Sequence, residues 1–480
     1  MGIHSIGDFI SLLEKENDLI RVKKEIDTYL EVTEIVDRLC KQHGKAVIFE
    51  NPKGSNIPIA INLFGSERRM NLSLGISNIE DLASEIKDIT SITPPKSLME
   101  GIKLFPKYGK LFSYHTKTVK KAPCQEVIEE NIDLTKLPIL HCWPDDGGRY
   151  ITLPIVITKD PESNRLNGGM YRLQVFDEKT TGMHWHKHHD GAVNFRKHKK
   201  LGRKMEVAVA LGGPPSLIFA ATAPCPPFLD EFTFACFLMK DSIKMVQCKT
   251  IDLQVPAEAE IILEGYVDPT EELRLEGPFG DHTGLYSLED KFPVFHVTAI
   301  TRREKPIYPT IVVGKPPMED THMGKVTERL FLPLMKLLIP EIIDINFPSF
   351  GVFHNFVFVS IRKEYPYHAK KVMSALWGLG QMMLTKFIVV VDEDVNVQST
   401  DDVMWKFGNN VDPKRDVMIV DGPLDQLDHS SPYSLGGAKM GFDATTRWKD
   451  EGAMRDYPPD IKMTDSVKKK IDAMWNTLFE

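Results

Sequence analysis

The feature that most constrains this chain is a change in the spacing of its apolar residues. From about residue 120 to residue 310 they fall in short runs, "LPIVIT", "YRLQVFD", "EVAVALGG", "SLIFAAT", "EIILEGYV" and "VFHVTAITRR", punctuated by proline and glycine. Short strands broken by such residues predict an antiparallel barrel or sandwich. One helix-like insert, "FLDEFTFACFLMK", interrupts them. Beyond about residue 320 the pattern alternates: "HNFVFVSIRK" and "KFIVVVDED" read as strands, "PYHAKKVMSALWGLGQM" and "TDDVMWKFGNN" as helices, and "DVMIVDG" as a strand again. Such alternation predicts a parallel sheet with crossover helices. Before the strand-rich region, "SIGDFISLLEKENDLIRV" and "EVTEIVDRLCKQHG" have helical spacing, "KAVIFENPKG" is a strand with a turn, and "TPPKS" reads as a connector. At the other end "TDSVKKKIDAMWNTLF" sets Val467, Ile471, Met474, Trp475 and Leu478 on one stripe, a surface expected to pack on another subunit.

A chain of 480 residues exceeds one ordinary core, and roughly three domains are expected. Its 42% hydrophobic and 26% charged content is that of a globular protein. A net charge of −8 argues against a nucleic-acid-binding surface. No signal peptide, apolar stretch of membrane-spanning length or myristoylation pattern is seen (position 6 is Ile6), so a cytoplasmic location is expected. The six cysteines form no C-x-x-C pair and read as reduced core thiols.

The chemistry-bearing residues cluster around "TTGMHWHKHHDGA", Thr180 to Ala192. On a strand, His184, His186 and His188 share a face and His189 opposes them, but same-face neighbours about 7 Å apart do not converge on one ion. A polar strand end and a single metal ligand drawn from this run both remain open. Upstream, "LNGGMYRLQ" combines Asn167 and two glycines with Arg172, a carboxylate- or phosphate-recognising group. Downstream lie Asp230 and Glu231 in the helical insert, and Glu276 and Asp281 in the loop "EGPFGDHTG". Asp392, Glu393 and Asp394 read as a solvated strand end, and the basic run "NFRKHKKLGRK" as a solvated loop.

Together with "ENPKG", "PCQ", "CWPDDGG", "GKPPMED" and "GGAKMGFDAT", these segments make nearly the whole chain resemble the UbiD family of decarboxylases, which use prenylated flavin mononucleotide (FMN). The resemblance implies a mixed α/β and β protein: an N-terminal α/β domain (1–118), a central FMN-binding split β-barrel (119–318), a C-terminal α/β domain (319–455) and a terminal helix (456–480). The family's metal ligands fall on Asn167, His188 and Glu231. This set suits Mn2+ or Mg2+, left free to bridge the flavin phosphate, better than zinc. A K+ or Na+ ion beside Glu231 is also implied. The flavin-binding segments fall on Met170, Tyr171 and Arg172, on His184, Trp185 and His186, and on His189 and Asp190. The quinone-pathway pattern carries arginine where this chain has His184, leucine at His186 and arginine-glycine at His189–Asp190; "GMHWH" is closer to menaquinone-type members. Lys439 is a candidate anion contact on chemical grounds, with a solvated loop lysine as the plain alternative.

The family's catalytic network maps onto Arg172, Glu276 and Asp281. Arg172 is expected to hold the substrate carboxylate and orient Glu276, and Asp281 to deliver the proton that replaces CO2. Two carboxylates beside one arginine are expected to titrate together, one of them kept protonated by its neighbour and by burial. Decarboxylation leaves an electron pair that no side chain can accept, so a cofactor is required. The reading is therefore reversible, non-oxidative decarboxylation of an aromatic or α,β-unsaturated acid, with menaquinone or ubiquinone precursors leading. A flavin prenyltransferase is the expected cofactor supplier, and a homodimer or homohexamer the expected assembly. The rivals are a decarboxylase or carboxylase of other phenolic, cinnamate-like or heteroaromatic acids, a non-catalytic flavin or metal scaffold, and a histidine-rich zinc binder.

Overall fold

The computed structural model describes residues 2–90, 114–129, 131–187, 189–226, 229–431, 433, 435–452 and 456–479. "TPPKS" and His188 lie outside them.

The first helix, Ile6–Lys15, is set by a reciprocal cap: Ser5 Oγ accepts from the Asp8 N–H, and the Asp8 carboxylate accepts from the Ser5 N–H. It buries Ile6, Phe9, Ile10 and Leu13. Strand Leu19–Val22 runs parallel to Ala46–Phe49, with helix Glu31–Lys41 as the crossover between them. Ala46–Phe49 then pairs antiparallel with Ile59–Ile61. That last strand, wholly buried, is completed from far along the chain by the parallel strand Tyr308–Pro309.

The middle of the chain builds a seven-stranded antiparallel sheet. Its order is Thr180–Gly182, Val294–Arg302, Ala259–Val267, Met205–Gly212, Pro154–Lys159 and Leu166–Gly169, with Val127–Ile128 also paired to Val294–Arg302. The two end strands, Thr180–Gly182 and Leu166–Gly169, are not hydrogen-bonded to each other, so the sheet is open there. The residues joining them, 170–179, cross that opening and carry Arg172. At a bulge in the third strand a Cβ on Gly265 would lie 1.9 Å from the His296 carbonyl oxygen, so only glycine allows the strands to pair.

The C-terminal sheet is ordered Ile342–Asn346, Phe356–Ile361, Phe387–Asp392, Gly436–Asp443, Val417–Pro423. Its inner pairs are parallel, as the alternation predicts, and both edge strands are antiparallel. The loop between Asn346 and Phe356 is too short for a helical crossover, which enforces the antiparallel edge. Val467, Met474, Trp475 and Leu478 of the terminal segment are exposed in the single chain. The six cysteines carry free thiols. Among the described residues no helix is long and apolar enough to cross a membrane.

Four local expectations are corrected. "SLIFAAT" forms the helix Pro215–Ala220, not a strand. A short apolar run suits either element, and here Pro214 and Pro215 start a helix. Residues 194–201 of the basic run lie in helix Asp190–Leu201, which ends at Gly202 with φ +62°, so only the last three residues of the run lie outside a helix. The histidine segment is irregular: the strand stops at Gly182, so His184 and His186 share no strand face. Lys439 sits on strand Gly436–Asp443 and is buried, with Nζ donating to the Met383 carbonyl.

Candidate active site

Arg172 stands at the opening of the central sheet, its side chain divided between two carboxylates. Nε donates to Glu276 Oε1 at 2.9 Å and Nη2 to Glu276 Oε2 at 3.2 Å. Nη1 donates to Asp281 Oδ2 at 2.5 Å, and Nη2 also reaches Ser287 Oγ at 2.9 Å. The guanidinium carbon lies 4.6 Å from the centre of the Phe279 ring. Glu276 is fully buried and Asp281 only 7% exposed. Two anions out of water need such a fork, because unpaired they would neutralise instead.

A second layer of contacts holds the segment 276–281 that carries the two carboxylates. Gly147 N–H donates to the Pro278 carbonyl at 2.7 Å, and Gly280 N–H to Asp146 Oδ1 at 2.7 Å. Gln174 bridges the two loops, donating from Nε2 to the Gly147 carbonyl and accepting at Oε1 from the Gly277 N–H. A Cβ on Gly147 would meet the Gly277 carbonyl oxygen at 2.0 Å. Thus "CWPDDGG" and "EGPFGDHTG", far apart in sequence, form one back-to-back unit beneath Arg172.

The electrostatics differ from the expectation of one protonated carboxyl. Burial opposes ionisation of Glu276, but the hydrogen bond from His184 and the Arg172 charge outweigh it and lower its pKa to about 2. Burial is likewise outweighed at Asp281 by the His282 hydrogen bond and Arg172, which hold it well below the ordinary carboxylate range. Both are anions because the cationic fork reaches both. His184 is neutral: burial and Arg172 lower its pKa. Its Nδ1 lies 2.9 Å from Glu276 Oε2 and its Nε2 2.8 Å from His186 Nε2. Burial also pushes His186 down, to about 2. His186 stacks on His189 with ring centres 4.9 Å apart, and Tyr171 packs against both His189 and Trp185.

Asn167 and Glu231 meet at the other side of the opening. Asn167 Nδ2 donates to Glu231 Oε1 at 3.1 Å and Gly168 N–H to Oε2 at 3.0 Å. Burial raises the Glu231 pKa. Asn167 Oδ1 and Trp185 Nε1 are buried with no hydrogen-bond partner among the described residues. No group of three or more His, Cys, Asp or Glu with metal-binding geometry occurs among the described residues, which exclude His188. Met170 contributes its N–H to the Ala221 carbonyl, and Asp190 opens the helix after the histidines. Sequence reasoning brought together Arg172, Glu276 and Asp281, and separately Asn167 and Glu231. It missed Ser287, Gln174, Asp146 and His282, which carried no spacing signal of their own, although the last three lie inside quoted motifs.

Models of the N-terminal, Rift-related and C-terminal domains of 3-octaprenyl-4-hydroxybenzoate carboxy-lyase match residues 10–86, 116–316 and 321–444 in succession. The chain belongs to the UbiD family. UbiD proteins are carboxy-lyases, and this chain has their fold from end to end. It is 50% identical, over 100% of its length and 99% of the other's, to an uncharacterized protein of Archaeoglobus fulgidus. Among solved UbiD-like structures, the closed form of the Sedimentibacter hydroxybenzoicus vanillic acid decarboxylase superposes with TM-score 0.86 at 28% identity, covering 99% of each chain. An evolved dimeric form of the UbiD-class enzyme HmfF from Pelotomaculum thermopropionicum, in complex with prFMN, superposes with TM-score 0.78 at 27% identity, covering 97% of this chain and 98% of that one.

Proposed function

We propose that this protein catalyses the reversible, non-oxidative decarboxylation of an aromatic or α,β-unsaturated carboxylic acid with prenylated FMN, the leading substrates being menaquinone or ubiquinone precursors. The observation that carries the reading is the buried guanidinium of Arg172 shared by Glu276 and Asp281. A substrate carboxylate drawn to Arg172 competes for its N–H donors. As that happens Asp281 loses part of its cationic support, burial raises its proton affinity, and it becomes a proton donor to carbon. Glu276, held by Arg172 and His184, keeps the guanidinium in place.

The residues fit both expected groups. Asn167 Oδ1 is a buried oxygen without a hydrogen-bond partner among the described residues, beside a buried carboxylate, as suits a ligand of a hard divalent cation such as Mn2+ or Mg2+. Asn167 and Glu231, with His188, are the residues to hold it, and a monovalent cation beside Glu231 belongs to the same reading. The unpartnered Trp185 indole N–H and the His184–His186–His189 and Tyr171 rings offer a flavin polar and stacking contacts. When bound, the prenylated flavin supplies the electron sink that decarboxylation requires. The vanillate enzyme's full-length similarity supports a second reading, a phenolic acid outside quinone synthesis.

The test begins with mass spectrometry of the small molecules released on denaturing protein co-expressed with a flavin prenyltransferase, followed by a CO2-release screen of hydroxybenzoates including vanillate, naphthoates, cinnamates and heteroaromatic acids. Prenylated FMN with turnover of a member of that panel is expected, and Glu276→Gln should retain the flavin and lose turnover. Release of zinc and no flavin, or full activity in Glu276→Gln, overturns the assignment.

A further inference from the structure

Loss of CO2 from a carboxylate consumes a proton: one C–C bond breaks, one C–H bond forms, and the site must import a proton for each CO2 it releases. On one side Asp281 meets Arg172, itself shared with Glu276 and Ser287, which offers it no rechargeable proton. On the other side is His282. Its Nδ1 lies 3.0 Å from Asp281 Oδ1, the same oxygen that accepts its backbone N–H at 2.8 Å. Beyond the ring, His282 Nε2 lies 3.3 Å from Nε2 of His354, the two imidazoles meeting edge to face at 87°. His354 Nε2 in turn faces Asp425 Oδ1 at 3.8 Å.

The two imidazoles come from different layers. His282 follows strand Phe279–Gly280 of the central region, while His354 precedes strand Phe356–Ile361 of the C-terminal sheet. The loop that carries His354 is set by Val352 and Phe353 at φ +43° and +69°, a conformation a β-branched residue rarely adopts. It is pinned by the Lys386 N–H to the His354 carbonyl at 2.8 Å. The Phe353 ring lies 5.5 Å from His282 and occupies the space over Gly324, where a Cβ would sit 2.2 Å from it. The strained loop therefore serves to hold an aromatic and an imidazole against His282.

We propose that His282 and His354 form a two-imidazole proton relay that recharges Asp281 after each turnover, complete only while the C-terminal sheet is seated against the central one. The inference rests on Asp281 being the proton donor. Asp281 gives its proton to substrate carbon and takes the Nδ1 proton of His282. That leaves the His282 ring neutral with its other proton on Nε2. The ring then turns its bare Nδ1 to Nε2 of His354, which has taken a proton from water, receives that proton and turns back, so one proton enters from water for each one given to carbon. The charged and titratable groups facing the relay are Asp281, Asp320 and Asp425 around His282, and Asp425 and Asp428, the latter paired with Lys386, around His354. Against burial, Asp281 raises the pKa of His282, whereas burial lowers that of His354. The resting store is thus one proton on His282, and His354 is the neutral carrier.

The test uses holoenzyme and an acid that the wild type decarboxylates in the panel above. His354→Gln keeps a polar side chain of similar reach that cannot relay a proton. Rapid-quench measurement near pH 6 should give a burst of one CO2 per site followed by a steady state slowed about tenfold or more, with KM unchanged and free imidazole restoring the steady rate. Asp425→Asn, which leaves both rings in place, should show the same pattern more weakly. As pH rises through the His282 pKa the burst should vanish. Turnover by the wild type with neither burst nor imidazole rescue in His354→Gln overturns the relay alone. Full turnover in Asp281→Asn removes the donor beneath it, and a wild type inactive on every acid of the panel sinks both.

Discussion

Replacing Arg172 with alanine tests the electrostatic account most directly. The substitution leaves Glu276 and Asp281 buried with only His184 and His282 as partners. Breaking a buried ion pair by removing one partner costs about 3–5 kcal/mol, because the remaining charge is left uncompensated. The loss must depend on pH. In the wild type both folded carboxyl pKa values are depressed, so their stabilisation is present above the unfolded values and is lost only as pH falls toward about 2 for Glu276. Between about pH 5 and pH 8 that contribution is flat. In the variant burial is opposed only by the one imidazole left to each carboxylate and is expected to raise at least one carboxyl above its unfolded value, so stability falls as pH rises, by about 1.4 kcal/mol for each unit of the rise. Urea unfolding of the flavin-free protein, followed by tryptophan fluorescence, reads this out. With a slope near 3 kcal/mol per molar, the midpoint should drop by roughly 1–1.7 M at pH 8 and by clearly less at pH 5. A deficit that is the same at both pH values refutes the argument.

Asn167→Ala and Glu231→Gln should each lose bound Mn2+ or Mg2+ and retain about tenfold less flavin; metal analysis and flavin absorbance of the purified proteins check this, and unchanged contents move the cation elsewhere. Gly265→Ala should cost about 3 kcal/mol or prevent folding, since its Cβ would meet the His296 carbonyl oxygen at 1.9 Å. Gly408→Ala, in helix Thr400–Asn410 with nothing within 4 Å of the new Cβ, should instead add about 0.5–1 kcal/mol; thermal melts compare the pair. Trp475→Glu, on the exposed stripe of the terminal segment, should lower the sedimenting mass of the particle, and an unchanged mass places the subunit contact elsewhere.

Where one physical cue dominated, the sequence was legible. Alternation with proline and glycine punctuation identified the central strands, and the longer C-terminal periods gave the helix–strand order. The exceptions are places where local cues conflict. Pro215–Ala220 is short and, Ser216 apart, apolar, so nothing in its period separates helix from strand. For the histidine segment the sequence left a strand face as one option, and the strand in fact ends at Gly182, ahead of the buried Trp185 and the stacked His186 and His189 rings. At the site, Arg172, Glu276 and Asp281 could be named from their motifs, but the protonation of the pair could not. It depends on the angle at which one guanidinium reaches both carboxylates, and on His184 and His282 lying behind them. His354 was beyond sequence reasoning, because only the packing of two sheets brings it to His282.

The pairing of Ile59–Ile61 with Tyr308–Pro309 bears on how the polypeptide is made. The N-terminal sheet lacks its last strand until about 250 further residues have left the ribosome, a delay of roughly 12–50 s at ordinary translation speeds. For that interval a nascent chain displays an apolar strand, Ile59, Ala60 and Ile61, whose outer hydrogen-bonding edge has no mate. Segments of this kind recruit holdase chaperones or, at high expression, one another. Lowering the number of chains made at one time should therefore improve recovery of this enzyme more than changing its solvent-facing residues, and a fragment ending before residue 308 should be the form most prone to precipitate.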